Sequence, residues 1–412
     1  MKFNFNKKQL FVILILFFLL FGIYFSIGLS FSKTEVFKNF NKLFDSDVPR
    51  VVNDLTVFGA DHHHTDRHPL FVLFFNSLGV LLTKFLNKGI VAVLLNSLFG
   101  SATIILFYLF LKKINLGETF ALIFSFFLSI TWAHLIFSSI PDTFIFSAFS
   151  LILLLDIYLY LKSDSLFLGI FIIASIFSFG IAATNLVFSF ILLFFRFRKK
   201  KFLKQIKFWF IFILVFLLIS ISLATIQKKI YPSTVEFFKV EDVLKDSGTF
   251  FRWDFFDSPF KSLSNTLPNF FIYNVVAPGV KECDGSCFIQ LSEISPLKWV
   301  LISFFLMFVL FSFYLLLKNK IYKKELVIIL ALYFLWNFLF HLFYGKPWAL
   351  ILFSAHYTFP LMGVLAVPFN EEILKNMNKK LKIALMTFLI ILILFIVLNN
   401  LLLIKTLFYK YL

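Results

Sequence analysis

Apolar stretches close to twenty residues long recur along this chain from its first residues to its last. A helix of about 20 apolar residues is what crosses a hydrocarbon core of about 30 Å, so each stretch is a candidate membrane span. Hydrophobic residues make up 60% of the 412 positions and charged residues 15%. Soluble domains are about half apolar and about a quarter charged, so a soluble enzyme is excluded and we expect an integral membrane protein.

Basic clusters separate the apolar stretches and predict their orientation, because cytoplasmic loops are enriched in Lys and Arg. With a cytoplasmic N-terminus, the strong clusters fall inside under two conditions: Pro69–Leu86 stays outside as an interfacial helix, and Leu166–Phe195 enters and returns. Leu10–Ser30 is then an uncleaved first span, and Phe120–Phe137 is one of the later spans. We predict a single all-α polytopic domain over residues 1–412, with about eleven transmembrane helices, one pair being short or re-entrant.

The stretch Leu166–Phe195 is too long for one span and short for two. Its middle, Ser178 to Asn185, is composed of small and polar residues. That composition is typical of a broken helix that lines a cavity. Gly-rich flexibility without a function is the alternative interpretation.

Two long outer loops follow from this topology, residues 31–88 and residues 227–298. The first contains five aspartates and four of the seven histidines between positions 45 and 68, which is unfavourable beside a membrane unless the residues are used. Asp47, Arg50 and Asp54 are three and four apart, so on a helix they share one face. Such a face can hold a carboxylate base beside a cation that pairs with it or with a phosphate. A solvated loop is the alternative.

The same loop leaves a metal site open as a second interpretation. Asp61 and His63 belong to a His-rich run, and imidazole with carboxylate suits Zn²⁺ or Mn²⁺. Adjacent histidines point in different directions, and the run has no established ligand spacing. No cofactor is therefore assigned, and a divalent metal stays an open alternative.

The second outer loop alternates aromatic and charged residues around Arg252, and we interpret it as a lid of interfacial helices. The net charge of +17 fits inner loops resting against anionic membrane lipids, not a nucleic-acid partner.

Cys283 and Cys287 are the two cysteines, and an outer location favours a disulfide between them. Asp156 lies near the inner end of a span, and we expect its carboxylate to reach the cytoplasmic face.

Several short motifs follow one another in a defined order over about the first half of the chain. Asp47 with Arg50 opens the outer loop, and Arg67-His68-Pro69-Leu70-Phe71 opens the second interfacial helix. Lys112-Lys113 stands at an inner turn, and Ser138-Ser139-Ile140-Pro141-Asp142 at an outer tip. This order resembles the GT-C-type membrane glycosyltransferases that use polyprenyl-phosphate sugars, including protein O-mannosyltransferases and the aminoarabinose transferases of lipid A. Many of those carry an adjacent Asp-Glu pair, whereas here Asp45 and Asp47 alternate with a serine.

The resemblance implies a GT-C-like fold and transfer of a sugar from a polyprenyl-phosphate donor to a hydroxyl on a lipid, glycan or protein acceptor. The reaction would lie on the outer face of a bacterial cytoplasmic membrane and invert the anomeric centre. Asp47 or Asp45 would be the general base, and Asp142 would orient the base or the acceptor, unless it only stabilises a helix N-terminus. The candidates for the donor phosphate are Arg67, His68, Arg252, Lys346 and His356. The candidates for further substrate contacts are Arg50, Asp54, His341 and Tyr357.

Two other functions compete with the transferase. A transporter or lipid flippase would show repeated halves and ionisable residues near the bilayer midplane, whereas no repeat is visible and the acids fall outside. A polysaccharide polymerase or ligase would concentrate its Arg and His residues in the later outer loop. Here the acids and histidines favour the early loop.

Overall fold

The computed structural model describes residues 7–239, 241, 256, 258–277, 279–283, 286–289, 296–345 and 347–412. Helix dominates this part of the chain. The α-helices are α1 Lys7–Phe31, α2 Val48–Thr56, α3 Phe71–Leu82, α4 Lys88–Lys113, α5 Glu118–Ile130, α6 Trp132–Phe137, α7 Thr143–Tyr160, α8 Asp164–Ile181, α9 Leu186–Phe197, α10 Phe202–Ile230, α11 Pro259–Pro268, α12 Pro296–Lys318, α13 Glu325–Phe343, α14 Ser354–Ala366, α15 Glu371–Lys375 and α16 Lys379–Tyr411. Two strands, β1 Val280–Cys283 and β2 Ser286–Ile289, form an antiparallel hairpin, so the chain is not purely α-helical.

Nine helical segments in the described residues are long and apolar enough to cross a membrane. They are Lys7–Phe31, Lys88–Lys113, Thr143–Tyr160, Asp164–Ile181, Phe202–Ile230, Lys298–Lys318, Glu325–Phe343, Leu350–Phe369 and Lys379–Tyr411. This composition is that of a polytopic integral membrane protein. Two further predicted crossings correspond to shorter apolar helices, Glu118–Ile130 and Ala183–Phe197, so length alone does not give the predicted eleven.

The stretch Phe120–Phe137, predicted as one span, is interrupted at Thr131. Thr131 has φ −54° and ψ 146°, which ends α5 and starts α6. The interruption lets the backbone N–H groups of Trp132 and Ala133 donate to the carbonyls of Val275 and Asn274, over 3.0 and 2.9 Å. The expectation of one continuous helix is therefore wrong here, because backbone hydrogen bonds to a distant segment replace those within the helix.

The predicted break inside Leu166–Phe195 is present and lies at Ala182. This residue is extended, with φ −151° and ψ 125°, and a short 3-10 turn, Ala183–Asn185, separates α8 from α9. The carbonyls that the break leaves without helical partners accept hydrogen bonds from the loop of residues 31–88. Gly180 accepts from Leu70 N–H over 2.8 Å, and Ile181 accepts from a histidine of the same loop. The break therefore joins a membrane helix to the segment that carries the acidic and histidine residues.

Close contact at this junction requires a glycine. A Cβ on Gly180 would lie 2.5 Å from Phe74 Cε2 and 2.7 Å from Leu70 Cβ, both shorter than real Cβ contacts. Gly180 thus lets α3 and its preceding turn rest directly on α8.

We expected the carboxylate of Asp156 to reach the cytoplasmic face, and this expectation is wrong because the side chain is buried. It is 5% exposed, and in the described part of the chain neither carboxylate oxygen has a hydrogen-bond partner. Its face of α7 is packed among other helices, so the short side chain cannot reach water.

In the hairpin, Cys283 pairs with Ser286 and Cys287 pairs with Glu282. The cysteine side chains lie outside the described residues, so the disulfide stays a prediction.

Candidate functional site

A cavity of about 480 Å³ lies where the loop of residues 31–88, the tip before α7, the α8–α9 break and the turn between α13 and α14 meet. Its volume is in the range of about 300–1,000 Å³ that small-molecule sites occupy. The lining consists of Asn41, Asp45, Ser46, Asp47, Arg50, His64, Asp66, Arg67, His68, Asp142, Phe144, Ala182, Ala183, Thr184, Phe237, Phe340, His341, Tyr344, Leu352, Phe353 and His356. Four distant segments thus contribute polar side chains to one space.

Helix α2 presents the predicted face of two acids and an arginine. Arg50 Nη1 donates to Asp54 Oδ2 over 2.7 Å, and Arg50 Nε lies 3.4 Å from Asp47 Oδ2. Asp47 is the N-cap of α2, yet its side chain makes no capping hydrogen bond and turns to the arginine instead. Burial disfavours the guanidinium charge, but the surrounding carboxylates outweigh burial and raise the pKa of Arg50.

His62 extends this charge array into the protein. Its Nδ1–H donates to Asp54 Oδ1 over 2.7 Å, so the two oxygens of Asp54 are divided between His62 and Arg50. The side chain of His62 is fully buried and that of Asp54 is 5% exposed. Asp54 is therefore the anchor of Arg50 and does not line the cavity itself.

Asparagine side chains on neighbouring helices fix both acidic segments. Asn76 of α3 donates to the carbonyls of Asp54 and Val57, over 2.8 and 3.1 Å, and so ties down the last turn of α2. Asn96 of α4 donates to the carbonyl of Ile140 over 3.0 Å and accepts from the backbone N–H of Asp142 over 3.2 Å. Both asparagines are fully buried.

Asp142 caps α7 and also lines the cavity. Its Oδ1 accepts from Thr143 N–H over 2.6 Å, and the residue is 3% exposed. Burial raises the pKa of Asp142 to about 7, against the lowering effect of Arg50 and with a further rise from the charge of Asp47. At neutral pH this carboxyl is therefore divided between its protonated and ionised forms.

Asp45 occupies a strained loop. Phe44 and Asp45 have φ of 53° and 64°, a left-handed conformation that non-glycine residues adopt rarely. The turn is closed by Ser46 N–H, which donates to the carbonyl of Leu43 over 2.9 Å. It brings both Asp45 and Asp47 to the cavity wall, so the structure keeps both as candidates for the base.

Arg67 enters the cavity beside a buried carboxylate. Its Nε lies 3.3 Å from Asp66 Oδ2, and the side chain of Asp66 is fully buried. His64 Nε2 is 3.8 Å from Asp47 Oδ2, but burial and then the charges of the two arginines lower the pKa of His64 to about 2. The imidazole of His64 is therefore neutral and does not form an ion pair.

His68 is held by the α8–α9 break. Its Nδ1–H donates to the carbonyl of Ile181 over 2.8 Å, and its Nε2 lies 3.4 Å from the hydroxyl of Thr143. Burial, and next the charge of Arg50, lower the pKa of His68 to about 3. A neutral imidazole cannot hold a phosphate by charge, so the predicted cationic role of His68 does not fit this geometry.

The structure places the predicted site residues in three groups. Those that line the cavity are Asp45, Asp47, Arg50, Arg67, His68, Asp142, His341 and His356. Asp54 supports the cavity from behind, and Tyr357 is fully buried with its ring stacked on Phe270 at 3.8 Å. Tyr357 thus packs between helices instead of meeting the cavity. Arg252 and Lys346 lie outside the described residues.

The predicted metal ligands lie at the surface. His63 Nδ1 is 3.0 Å from Asp61 Oδ2, with side-chain exposures of 45% and 73%. Neither residue lines the cavity. Among the described residues there is no group of three or more His, Cys, Asp or Glu side chains arranged to hold a metal ion.

Two positions that support the cavity were missed in the sequence. Asn76 and Asn96 are buried polar groups in otherwise apolar helices, and such groups are expected to have partners. That signal marks them as important but does not say which residue each contacts. Asp66 and His64 belonged to the recognised cluster, yet only the fold shows that they face the cavity.

The chain was compared with protein-family models, with curated proteins and with solved structures. None of them matches it.

Proposed function

We propose that this protein transfers a sugar from a polyprenyl-phosphate donor to a hydroxyl acceptor on the non-cytoplasmic side of the membrane. The observation that carries the proposal is the convergence of Asp47, Arg67 and Asp142 on one cavity beside membrane-spanning helices. A lipid-linked donor must present its sugar at the end of a membrane bundle, where this cavity lies.

Asp47 is the general base in this proposal. Its nearest basic neighbours, Arg50 and His64, both approach Oδ2, and the side chain is 28% exposed. Oδ1 then takes the proton of the acceptor hydroxyl as the hydroxyl oxygen attacks the anomeric carbon. Proton transfer of this kind contributes about 10²–10⁴-fold to a rate.

Arg67 holds the leaving group. As the new bond to the anomeric carbon forms, the bond from that carbon to the phosphate oxygen breaks, and polyprenyl phosphate departs with the electron pair. A guanidinium has five N–H donors, so the contact of Arg67 with Asp66 through Nε is compatible with a charge-assisted contact to phosphate. Attack opposite the leaving group inverts the anomeric centre.

Asp142 interacts electrostatically with Arg50 and with the base Asp47, and it orients the acceptor. In its protonated form it donates a hydrogen bond to the acceptor oxygen, and in its ionised form it accepts one. The charge coupling among Asp142, Arg50 and Asp47 supports a position close to the reacting groups.

The direct test is transfer by the purified protein. It would be incubated in detergent with radiolabelled polyprenyl-phosphate sugars and a membrane extract that supplies acceptors. We expect label to leave the polyprenyl phosphate and join a hydroxyl-linked product. Movement of intact donor across a vesicle membrane without any cleavage would indicate a flippase instead.

A further inference from the structure

The residues that line the cavity fall into two chemically different groups. One group consists of the carboxylates and arginines described above. The other, here called the aromatic end, consists of Phe144, His341, Tyr344, Phe353 and His356. The proposed reaction uses the first group for proton transfer and for the phosphate, and leaves the second without a role.

Ring contacts build the aromatic end. The His341 ring lies 4.4 Å from the Phe353 ring at an angle of 31°, and Phe144 contacts Phe353 at 5.2 Å and His356 at 5.3 Å. His341 Nδ1–H donates to the carbonyl of Tyr344 over 3.2 Å, which fixes the orientation of that ring. Gly345, with φ of 91°, turns the chain just after Tyr344. The two histidines are thus set in an aromatic wall.

His356 presents an unsatisfied polar atom. The residue is 4% exposed, and within the described residues its Nε2 has no hydrogen-bond partner. Burying a polar group without a hydrogen-bond partner is unfavourable, and most buried polar groups in folded proteins have one. An atom of this kind in a cavity wall indicates a ligand group that satisfies it.

The chemistry of the imidazoles limits that ligand group. A neutral imidazole has one nitrogen that donates and one that accepts, and His68 of the same cavity, with its pKa lowered to about 3 by burial, donates through Nδ1. A hydroxyl can both donate and accept, so it satisfies an imidazole nitrogen in either tautomer. A hydrocarbon chain satisfies neither tautomer.

We propose that the aromatic end is a sugar subsite, which takes an uncharged hexose-sized ring with a hydroxyl toward His356 and its C–H face toward Phe353. This inference rests on the proposed function and assigns the donor's sugar to one group of lining residues and its phosphate to the other. His356 then determines specificity and does not bind the phosphate.

The experiment compares two lipids on the purified full-length protein. Binding of bare undecaprenyl phosphate is measured beside that of the same lipid carrying glucose, mannose or galactose. His356→Leu removes both ring nitrogens, and His356→Gln restores a polar group near Nε2. His134→Leu is the matched control, because His134 is also fully buried with an Nε2 that has no partner among the described residues, yet it does not line the cavity.

We expect wild-type protein to prefer at least one hexosyl lipid over the bare lipid. His356→Leu should weaken the binding of that hexosyl lipid by about tenfold, which corresponds to the loss of one hydrogen bond, and leave the binding of the bare lipid unchanged. His356→Gln should recover part of the loss, and His134→Leu should change neither lipid. Arg67→Ala should weaken the binding of both lipids to the same extent.

Two results would overturn the subsite. If His356→Leu weakens the binding of the bare and the hexosyl lipid equally, His356 contacts the phosphate or the polyprenyl chain. The proposed function then stands without the sugar subsite. If His356→Leu leaves the binding of both lipids unchanged, the aromatic end does not bind the sugar. A third result would reject the proposed function, and the subsite with it. In that case neither the wild-type protein nor Arg67→Ala binds any of these lipids differently from an unrelated phospholipid.

Discussion

Arg50 donates to Asp54 Oδ2 over 2.7 Å, whereas its Nε is 3.4 Å from Asp47 Oδ2. The shorter contact lies on the protein side and the longer one on the cavity side. Asp54 therefore anchors the guanidinium, and Asp47 is held in place without being fully engaged. A carboxylate oriented in this way is suited to accept a proton from a substrate.

The anchor should be important for stability. Asp54→Ala leaves two buried partners, Arg50 and His62, without their shared carboxylate, and breaking a buried pair lowers the free energy of unfolding by about 3 kcal/mol or more. We expect a clear drop in the melting temperature of the detergent-solubilised protein. Glu35→Ala is the control, because the Glu35–Lys38 pair is exposed and should be worth less than about 1 kcal/mol. Equal melting temperatures for the two variants would contradict the anchoring role.

The α8–α9 junction offers a second stability test. Gly180→Ala forces a Cβ to within 2.5 Å of Phe74, and such overpacking costs about 1–3 kcal/mol. Gly169→Ala, in the same helix, meets nothing within 4 Å and should be neutral or slightly stabilising. Thermal denaturation of both variants measures the difference. A Gly180→Ala protein as stable as Gly169→Ala would show that α3 does not need this close approach.

Asp142 predicts a pH dependence of stability. Its pKa in the folded state is about 7, above the value of about 3.9 for an unperturbed aspartate, so the folded protein holds this proton more tightly. The resulting stabilisation is complete below about pH 4 and is lost as the pH rises through about 7. The melting temperature of the wild type should therefore fall relative to that of Asp142→Asn between about pH 5 and about pH 8. Parallel curves over this range would mean that the Asp142 pKa is not raised.

Membrane orientation is the fourth prediction, and it follows from the basic clusters. Reporter insertions at Lys201 and Lys320 should report the cytoplasm, and insertions at His63 and Cys283 the opposite side. Both sets are tested in the full-length chain in cells. A cytoplasmic His63 would overturn the proposed topology and the proposed side of the reaction together.

The sequence predicted the parts of this molecule that depend on local pattern. Apolar length predicts the long helices, and the small polar run near Ala182 predicts the break that the structure confirms. Spacing predicts that Asp47, Arg50 and Asp54 share one face of a helix, which is also confirmed. Each of these features is determined by residues near one another in the chain.

What the sequence could not predict depends on contacts between distant segments. The interruption at Thr131 follows from hydrogen bonds to Val275 and Asn274, which no local pattern shows. In the same way, Asn96 holds the Asp142 segment across two helices, and Tyr357 is withdrawn from the cavity by stacking on Phe270. Burial also made His68 neutral, which charge counting in the sequence cannot show.

The central claim is that Asp47 is the base, and the transfer rate of Asp47→Asn tests it most directly. Asparagine keeps the size of the side chain but cannot accept a proton at neutral pH, so transfer should fall by about 100-fold or more while donor binding persists. Asp45→Asn is the internal control, because Asp45 lines the same cavity wall, and it should keep most of the activity. If Asp45→Asn abolishes transfer and Asp47→Asn does not, the base is Asp45. Full activity in both variants and in the double variant would contradict a carboxylate base in this loop.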